Sequence, residues 1–83
     1  MTRTEIETKV NTFLVEEIEV EPHLIKPEAL LKEDLGIDSL DFVDIVVIVE
    51  QIFGYRIKAE EMAEVLTLNQ FYDFIENVLN SKA

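Results

Sequence analysis

The sequence feature that most restricts the fold is an apolar run over residues 42–53, with a helix start signal before it and a stop signal after it. Asp38 is a favourable N-cap residue, and Asp41 stands three residues later, where an acidic side chain completes a capping box. Gly54 directly follows the run and is a typical helix stop. These signals predict a helix from about residue 39 to residue 53.

The same run carries one contrary signal. Residues 45–49 (Ile-Val-Val-Ile-Val) are continuously β-branched, and propensity alone favours a buried strand there. The apolar run is, however, longer than a typical strand of about five to six residues. Helix propensities of ordinary residues differ by at most about 0.7 kcal/mol, so burial of several valines and isoleucines outweighs them. We therefore predict a helix that is apolar nearly all round, with some apolar residues exposed as a binding surface.

Helical periodicity also predicts a first helix near the start of the chain. Thr4 and Glu7 match a capping box, and the apolar stripe that follows predicts a helix over residues 5–17. Beyond it, Pro22 and Pro27 interrupt the pattern. This region is predicted to be a long loop held to the core, with one helical turn after Pro27.

Two further helices follow the apolar run. Residues 59–64 suit a short helix, and Thr67 with Gln70 forms a capping box for a last helix that ends near residue 80. The sequence thus predicts an all-α protein: a small four-helix bundle with three main helices, one short helix and a long loop between helices one and two. We expect a single domain over residues 1–83.

The charge balance restricts the partners. The chain has seven basic and eighteen acidic residues, which give a formal net charge of −11. Such a surface disfavours nucleic acids and anionic membranes and attracts partners with basic patches. No apolar stretch approaches the roughly 20 residues of a membrane span, and the first residues lack the apolar segment of a signal peptide. We expect a cytoplasmic monomer that neither binds nucleic acid nor inserts into membranes.

The residue types also argue against catalysis. The chain has no cysteine and one histidine, His23, which lies in the predicted loop. Without cysteines there is no disulfide framework, and one histidine provides no ligand set with metal-binding spacing. The two glycines of the chain do not form a glycine-rich phosphate loop. The sequence therefore predicts a protein that is not an enzyme and has no metal site.

Ser39 falls in the first turn of the predicted second helix, where the N–H groups and the helix dipole favour a negatively charged group such as a phosphate. The segment 33–44, EDLGIDSLDFVD, resembles the attachment site of the acyl carrier proteins. The resemblance implies that Ser39, flanked by Asp38 and Leu40, carries a 4′-phosphopantetheine arm added from coenzyme A by a phosphopantetheinyl transferase. The arm would hold acyl groups as thioesters and present them to acyl-transferring and chain-elongating enzymes of fatty-acid or polyketide type. Since the chain encodes no cysteine, the arm would supply the thiol.

The resemblance also assigns residues to two surfaces. On the outward face of the second helix it implies partner contacts through Leu40, Val43 and Val47, which are apolar, and Asp41, Asp44 and Glu50, which are acidic. It further implies an acyl-binding cleft lined by Ile37, Phe42, Val49, Met62 and Phe71. Because this lining is bulky, we hypothesise that long saturated chains are poorly sequestered; filling of the core without any effect on cargo is the alternative.

The sequence departs from the family at the end of the second helix and in the link beyond it. Acidic or small polar residues are common there in the family, whereas this chain has Gln51, Ile52, Tyr55, Arg56 and Lys58. The departure suggests a dedicated set of partner enzymes. Two alternatives stay open: a specialised carrier for short, aromatic or aminoacyl cargo, and an unmodified helical module for protein interaction. The sequence leaves the cargo and the pathway undetermined.

Overall fold

The computed structural model describes residues 1–81, which form helices joined by one long loop and two short links. The described part of the chain contains no β-strand, only an isolated antiparallel bridge between Leu30 and Thr67. This confirms the predicted all-α bundle with three main helices and one short helix. In chain order the helices are α1 (Arg3–Glu16), α2 (Ser39–Phe53), α3 (Ala59–Met62) and α4 (Leu68–Ser81).

Helix α1 begins earlier than the sequence predicted, because Thr2 and not Thr4 is its N-cap. The Glu5 N–H donates to Thr2 Oγ1 at 3.1 Å, and the Thr2 N–H donates to Glu5 Oε1 at 2.9 Å. The bond from the Thr2 backbone, above all, holds the pKa of the Glu5 carboxyl below its ordinary value. Glu7, the predicted capping partner of Thr4, instead accepts from Arg3 Nε at 3.0 Å. The earlier start thus makes Arg3 part of the helix.

The long loop contains a 3₁₀ turn at Pro22–Leu24, which the sequence did not predict. Pro22 occupies the first position of this 3₁₀ turn. That position needs no N–H donor, and the fixed φ of proline suits it. The predicted helical turn after Pro27 is a single one: the Asp34 N–H donates to the Leu30 carbonyl at 2.9 Å, and no helix continues from it.

The second half of this loop is bonded to the link between α3 and α4. The Leu31 N–H donates to the Leu66 carbonyl at 2.9 Å, and the Leu68 N–H donates to the Ala29 carbonyl at the same distance. Because Leu68 is the first residue of α4, these bonds fix the loop against the start of that helix. The loop that leads into α2 therefore has a defined path.

A continuous apolar core joins the helices and the loop. Phe13 of α1 and Phe71 of α4 meet edge to face, with ring centroids 6.3 Å apart. No charged side chain of the described residues is buried, and Tyr72 is the one core residue among them that carries a hydroxyl. Fully burying a large apolar side chain contributes about 1.5–3 kcal/mol, so burial is the main stabilising term in a chain without disulfides. The largest fully buried side chains include Ile6, Leu14, Leu31, Ile37, Ile45, Met62, Leu68 and Phe71.

At the surface, α1 and α4 are joined by a polar cluster of Arg3 and Asn11 from α1 with Tyr72, Asp73 and Glu76 from α4. The Arg3 guanidinium lies 2.7 Å from Asp73 and 3.0 Å from Glu76, and it also stacks 5.5 Å from the centroid of the Tyr72 ring. The bond to Asp73 is the main cause of the raised pKa of Arg3. The Tyr72 hydroxyl donates to Asn11 Oδ1, while burial raises the pKa of Tyr72. Arg3 therefore links the start of α1 to the middle of α4.

We expect Arg3→Ala to lower the free energy of unfolding by about 1–2 kcal/mol, because several charge-assisted bonds are lost together but remain partly exposed. Urea denaturation measures this change. Lys26→Ala is the matched control, since it removes the same charge from an exposed side chain that forms no ion pair with the described residues. Equal destabilisation by the two variants would contradict a specific role for the cluster.

Candidate attachment site and docking face

The turn at Gly36 determines where α2 begins. Gly36 has a φ of 72°, a left-handed conformation that costs other residues roughly 1–2 kcal/mol. Its neighbours Leu35 and Ile37 are both buried in the core. The Ile37 N–H also donates to the Leu31 carbonyl at 2.9 Å. The chain is therefore anchored immediately before residue 38.

Asp38 then starts the helix through the capping box that the sequence predicted. Its Oδ1 accepts from the N–H groups of Leu40 at 2.9 Å and Asp41 at 3.2 Å. In return, Asp41 Oδ2 accepts from the Asp38 N–H at 3.2 Å. The Asp38 carboxylate thus occupies N–H groups that the sequence argument had left free for a phosphate, so its effect here is to fix the helix start.

Ser39 is the first residue of α2, and its side chain is exposed. Asp38 and Leu40, on either side of it, are also exposed, and Leu40 is 79% accessible. Ser39 therefore lies at the surface together with both of its neighbours. The helix places this residue in solvent while its backbone is held by the preceding turn.

The predicted exposure of apolar residues on α2 is confirmed. Leu40, Val43 and Val47 are 79%, 57% and 50% exposed, and their spacing of three and four residues places them on one face. Helix α2 has its buried residues at similar spacing on the other side, and it packs against α3. We call the outward strip formed by Leu40, Val43, Asp44, Val47 and Glu50 the docking face; Asp44 lies one turn beyond Leu40, and Glu50 lies one turn beyond Val47.

The three predicted acidic contacts lie in different environments. Asp44 is exposed, and its carboxylate forms no hydrogen bond or ion pair with the described residues. Asp41 is half-buried and takes part in the capping box. Glu50 Oε2 lies 3.4 Å from Arg56 Nε. The sequence interpretation missed this pair, whose signal is an arginine shortly after the helix stop at Gly54.

The five residues predicted to line an acyl cleft all lie in the core. They are between 0% and 4% exposed and belong to one packed cluster: Ile37, Phe42, Val49, Met62 and Phe71. A separate pocket of about 210 Å³ opens between the loop and the link from α3 to α4, lined by Leu30, Lys32, Glu33, Ala63, Val65 and Leu66. Lys32 Nζ also lies 5.9 Å from the Phe42 ring centroid. The role of the five residues as a cleft stays a prediction.

The described residues offer no other chemical site of the kinds considered above. Within residues 1–81, no group of three histidine or carboxylate side chains is placed to hold a metal ion. In the same part of the chain, no helix combines the length and the apolar character needed to cross a membrane.

A small helical bundle with an exposed serine at the start of an apolar, acid-flanked helix is the arrangement that the resemblance of residues 33–44 implied. Comparison with known proteins agrees. The family described as "Phosphopantetheine attachment site" matches residues 9–75. The chain is 38% identical over 77 residues to an acyl carrier protein of Thermosynechococcus vestitus, covering 93% of this chain and 95% of the relative. It is 34% identical over 79 residues to "Acyl carrier protein 2" of Ralstonia nicotianae, covering 95% of this chain and 98% of the relative.

The chain therefore belongs to the acyl carrier protein family, which confirms the resemblance drawn from residues 33–44. The covalent prosthetic group of this family is 4′-phosphopantetheine. The accessible Ser39 hydroxyl, with exposed neighbours on both sides, fits such a group sterically.

Asp38→Ala is expected to lower the free energy of unfolding by about 1 kcal/mol, the usual loss for an N-cap side chain. Asp38→Asn should remain close to wild type, because its side-chain oxygen still accepts from the same N–H groups. Urea denaturation compares the two variants. Equal losses from both would show that the negative charge, and not the cap, is the stabilising feature.

Proposed function

We propose that this protein is a carrier that holds acyl intermediates as thioesters on a 4′-phosphopantetheine arm attached to Ser39. It presents them to fatty-acid or polyketide-type biosynthetic enzymes. The observation that supports this most directly is the exposed Ser39 at the first position of α2, within the segment that matches the attachment-site family. The protein itself carries cargo and does not catalyse.

In this proposal each residue at the start of α2 has a separate role. The Ser39 oxygen attacks the phosphorus of coenzyme A that bears the pantetheine arm, and a new P–O bond forms. The P–O bond of the pyrophosphate breaks, adenosine 3′,5′-bisphosphate leaves, and the serine proton passes to a base of the transferase. Asp38 keeps the helix start in place by binding the N–H groups of Leu40 and Asp41. The arm, when attached, supplies the thiol that forms thioesters, and the chain contributes no competing thiol because it contains no cysteine.

The charge of the docking face favours enzymes with basic surfaces. Asp38 and Asp44 are exposed near Ser39, on a chain with a formal net charge of −11. Such a field accelerates association with cationic patches, while the exposed Leu40 and Val43 supply apolar contact once the partner has docked. The proposed partners are a phosphopantetheinyl transferase and acyl-transferring and chain-elongating enzymes. We also propose that the carrier acts as a monomer in the cytoplasm.

The proposal is tested by incubating the protein with coenzyme A, Mg²⁺ and a phosphopantetheinyl transferase. Intact-mass spectrometry should show the addition of one phosphopantetheine group, and Ser39→Ala should abolish it without changing the circular dichroism spectrum. Ser81→Ala, which removes the other serine of the chain, is the matched control and should be modified at the wild-type rate. An unmodified wild-type protein would instead support a non-covalent interaction module.

We further propose that long saturated chains are poorly shielded by this carrier. Phe42, Met62 and Phe71 fill the interior beside α2, and each aromatic side chain occupies space that an acyl chain would need. The test transfers acylated arms to Ser39 from acyl-coenzyme A donors of increasing length and measures how fast hydroxylamine cleaves each thioester to a hydroxamate and the free thiol. Cleavage should stay fast from hexanoyl to dodecanoyl; strong protection of octanoyl and longer chains would contradict the proposal.

A further inference from the structure

The docking face changes its charge along its length. At its far end, Glu50 Oε2 lies 3.4 Å from both Nε and Nη2 of Arg56. The two side chains are 44% and 82% exposed, so the pair lies on the surface and not in the core. Nearer Ser39, Asp44 is exposed and has no such partner among the described residues. The face is thus anionic at its beginning and locally neutral at its end.

The helix stop produces this arrangement. Gly54 is the C-cap of α2 and has a φ of 76°, a left-handed conformation that ends the helix and redirects the chain. Arg56 follows two residues later, and its long side chain reaches Glu50 in the last turn of α2. An exposed ion pair of this kind is weak, so it can open, but it cancels the local negative field as long as it is formed.

An enzyme that acts on Ser39 is large enough to contact this pair. A rise of 1.5 Å per residue places Glu50 about 16 Å from Ser39 along the helix axis. A standard protein interface covers about 800 Å² on each partner and therefore extends over such a distance. A cationic enzyme surface aligned with α2 would meet Asp44 as a free carboxylate and Glu50 as a neutralised one.

We propose that Arg56 is a specificity-determining residue: by neutralising Glu50, it weakens docking of cationic enzyme surfaces that span α2 from Ser39 to its last turn, the phosphopantetheinyl transferase among them. Partners whose basic groups meet only the first turns of α2 are then favoured. This inference rests on the proposed function, because it concerns the same docking face.

Lys58 provides a control for net charge. It lies two residues beyond Arg56, is exposed, and forms no ion pair with the described residues. Arg56→Ala and Lys58→Ala therefore change the total charge equally, but only Arg56→Ala releases Glu50. Any difference between them reports the ion pair.

The experiment measures kcat/KM for phosphopantetheine transfer by a transferase with a basic carrier-binding surface. The proteins are wild type, Arg56→Ala, Lys58→Ala, Glu50→Gln and the double variant Glu50→Gln/Arg56→Ala. At low ionic strength, Arg56→Ala should raise kcat/KM roughly two- to five-fold and more than Lys58→Ala does. The gain should disappear in the Glu50→Gln background and at about 0.5 M salt, where charges are screened beyond a few ångström.

Two results would overturn the inference: a gain from Arg56→Ala no larger than that from Lys58→Ala, or an equal gain in the Glu50→Gln background. Either would leave the carrier function intact, because the wild-type protein would still be modified. Failure of the wild-type protein to be modified at all would instead refute the proposed function.

Discussion

The capping box between Asp38 and Asp41 is the interaction on which the arrangement of this protein depends. Successive residues of an α-helix are rotated by about 100°, so with the chain anchored at the buried Ile37, the residue at which α2 begins sets the direction of its side chains. With Asp38 as N-cap, α2 buries three apolar residues and exposes three others on its outward side. The same start places Ser39 in solvent. The capping box and the burial of these three residues favour the same helix start, which sets the core contact, the docking face and the position of Ser39 together.

The rest of the chain forms a support for that helix. Helices α1 and α4 pack against each other, with the Phe13–Phe71 contact inside and the Arg3 cluster at the surface. The loop before α2 is bonded to the start of α4, so the position of Gly36 is fixed relative to this pair. This support holds the first residue of α2 in place, although part of the apolar surface of the helix is exposed.

The helices could be predicted because their signals are local: caps, periodicity and stops involve residues a few positions apart. These signals outweighed the strand propensity of the β-branched residues 45–49, which are helical in the structure. The predicted start of α1 was wrong because Thr2–Glu5 and Thr4–Glu7 both match the Thr-x-x-Glu pattern of a capping box. The long-range bonds of Arg3 to α4 favour the earlier start, and local signals do not show them. The hydrogen bonds between the loop and the α3–α4 link join residues that are far apart in the sequence, so local signals could not predict them. The Arg56–Glu50 pair likewise depends on the turn at Gly54.

The most direct test of the central claim is the intact mass of the protein purified from its native source, followed by fragmentation of the peptide that contains Ser39. The account predicts the mass of the chain plus one phosphopantetheine group, with or without an acyl cargo, and fragments that place this group on the Ser39 oxygen. A native protein that is always unmodified, or one that carries the group on a different residue, would contradict the account.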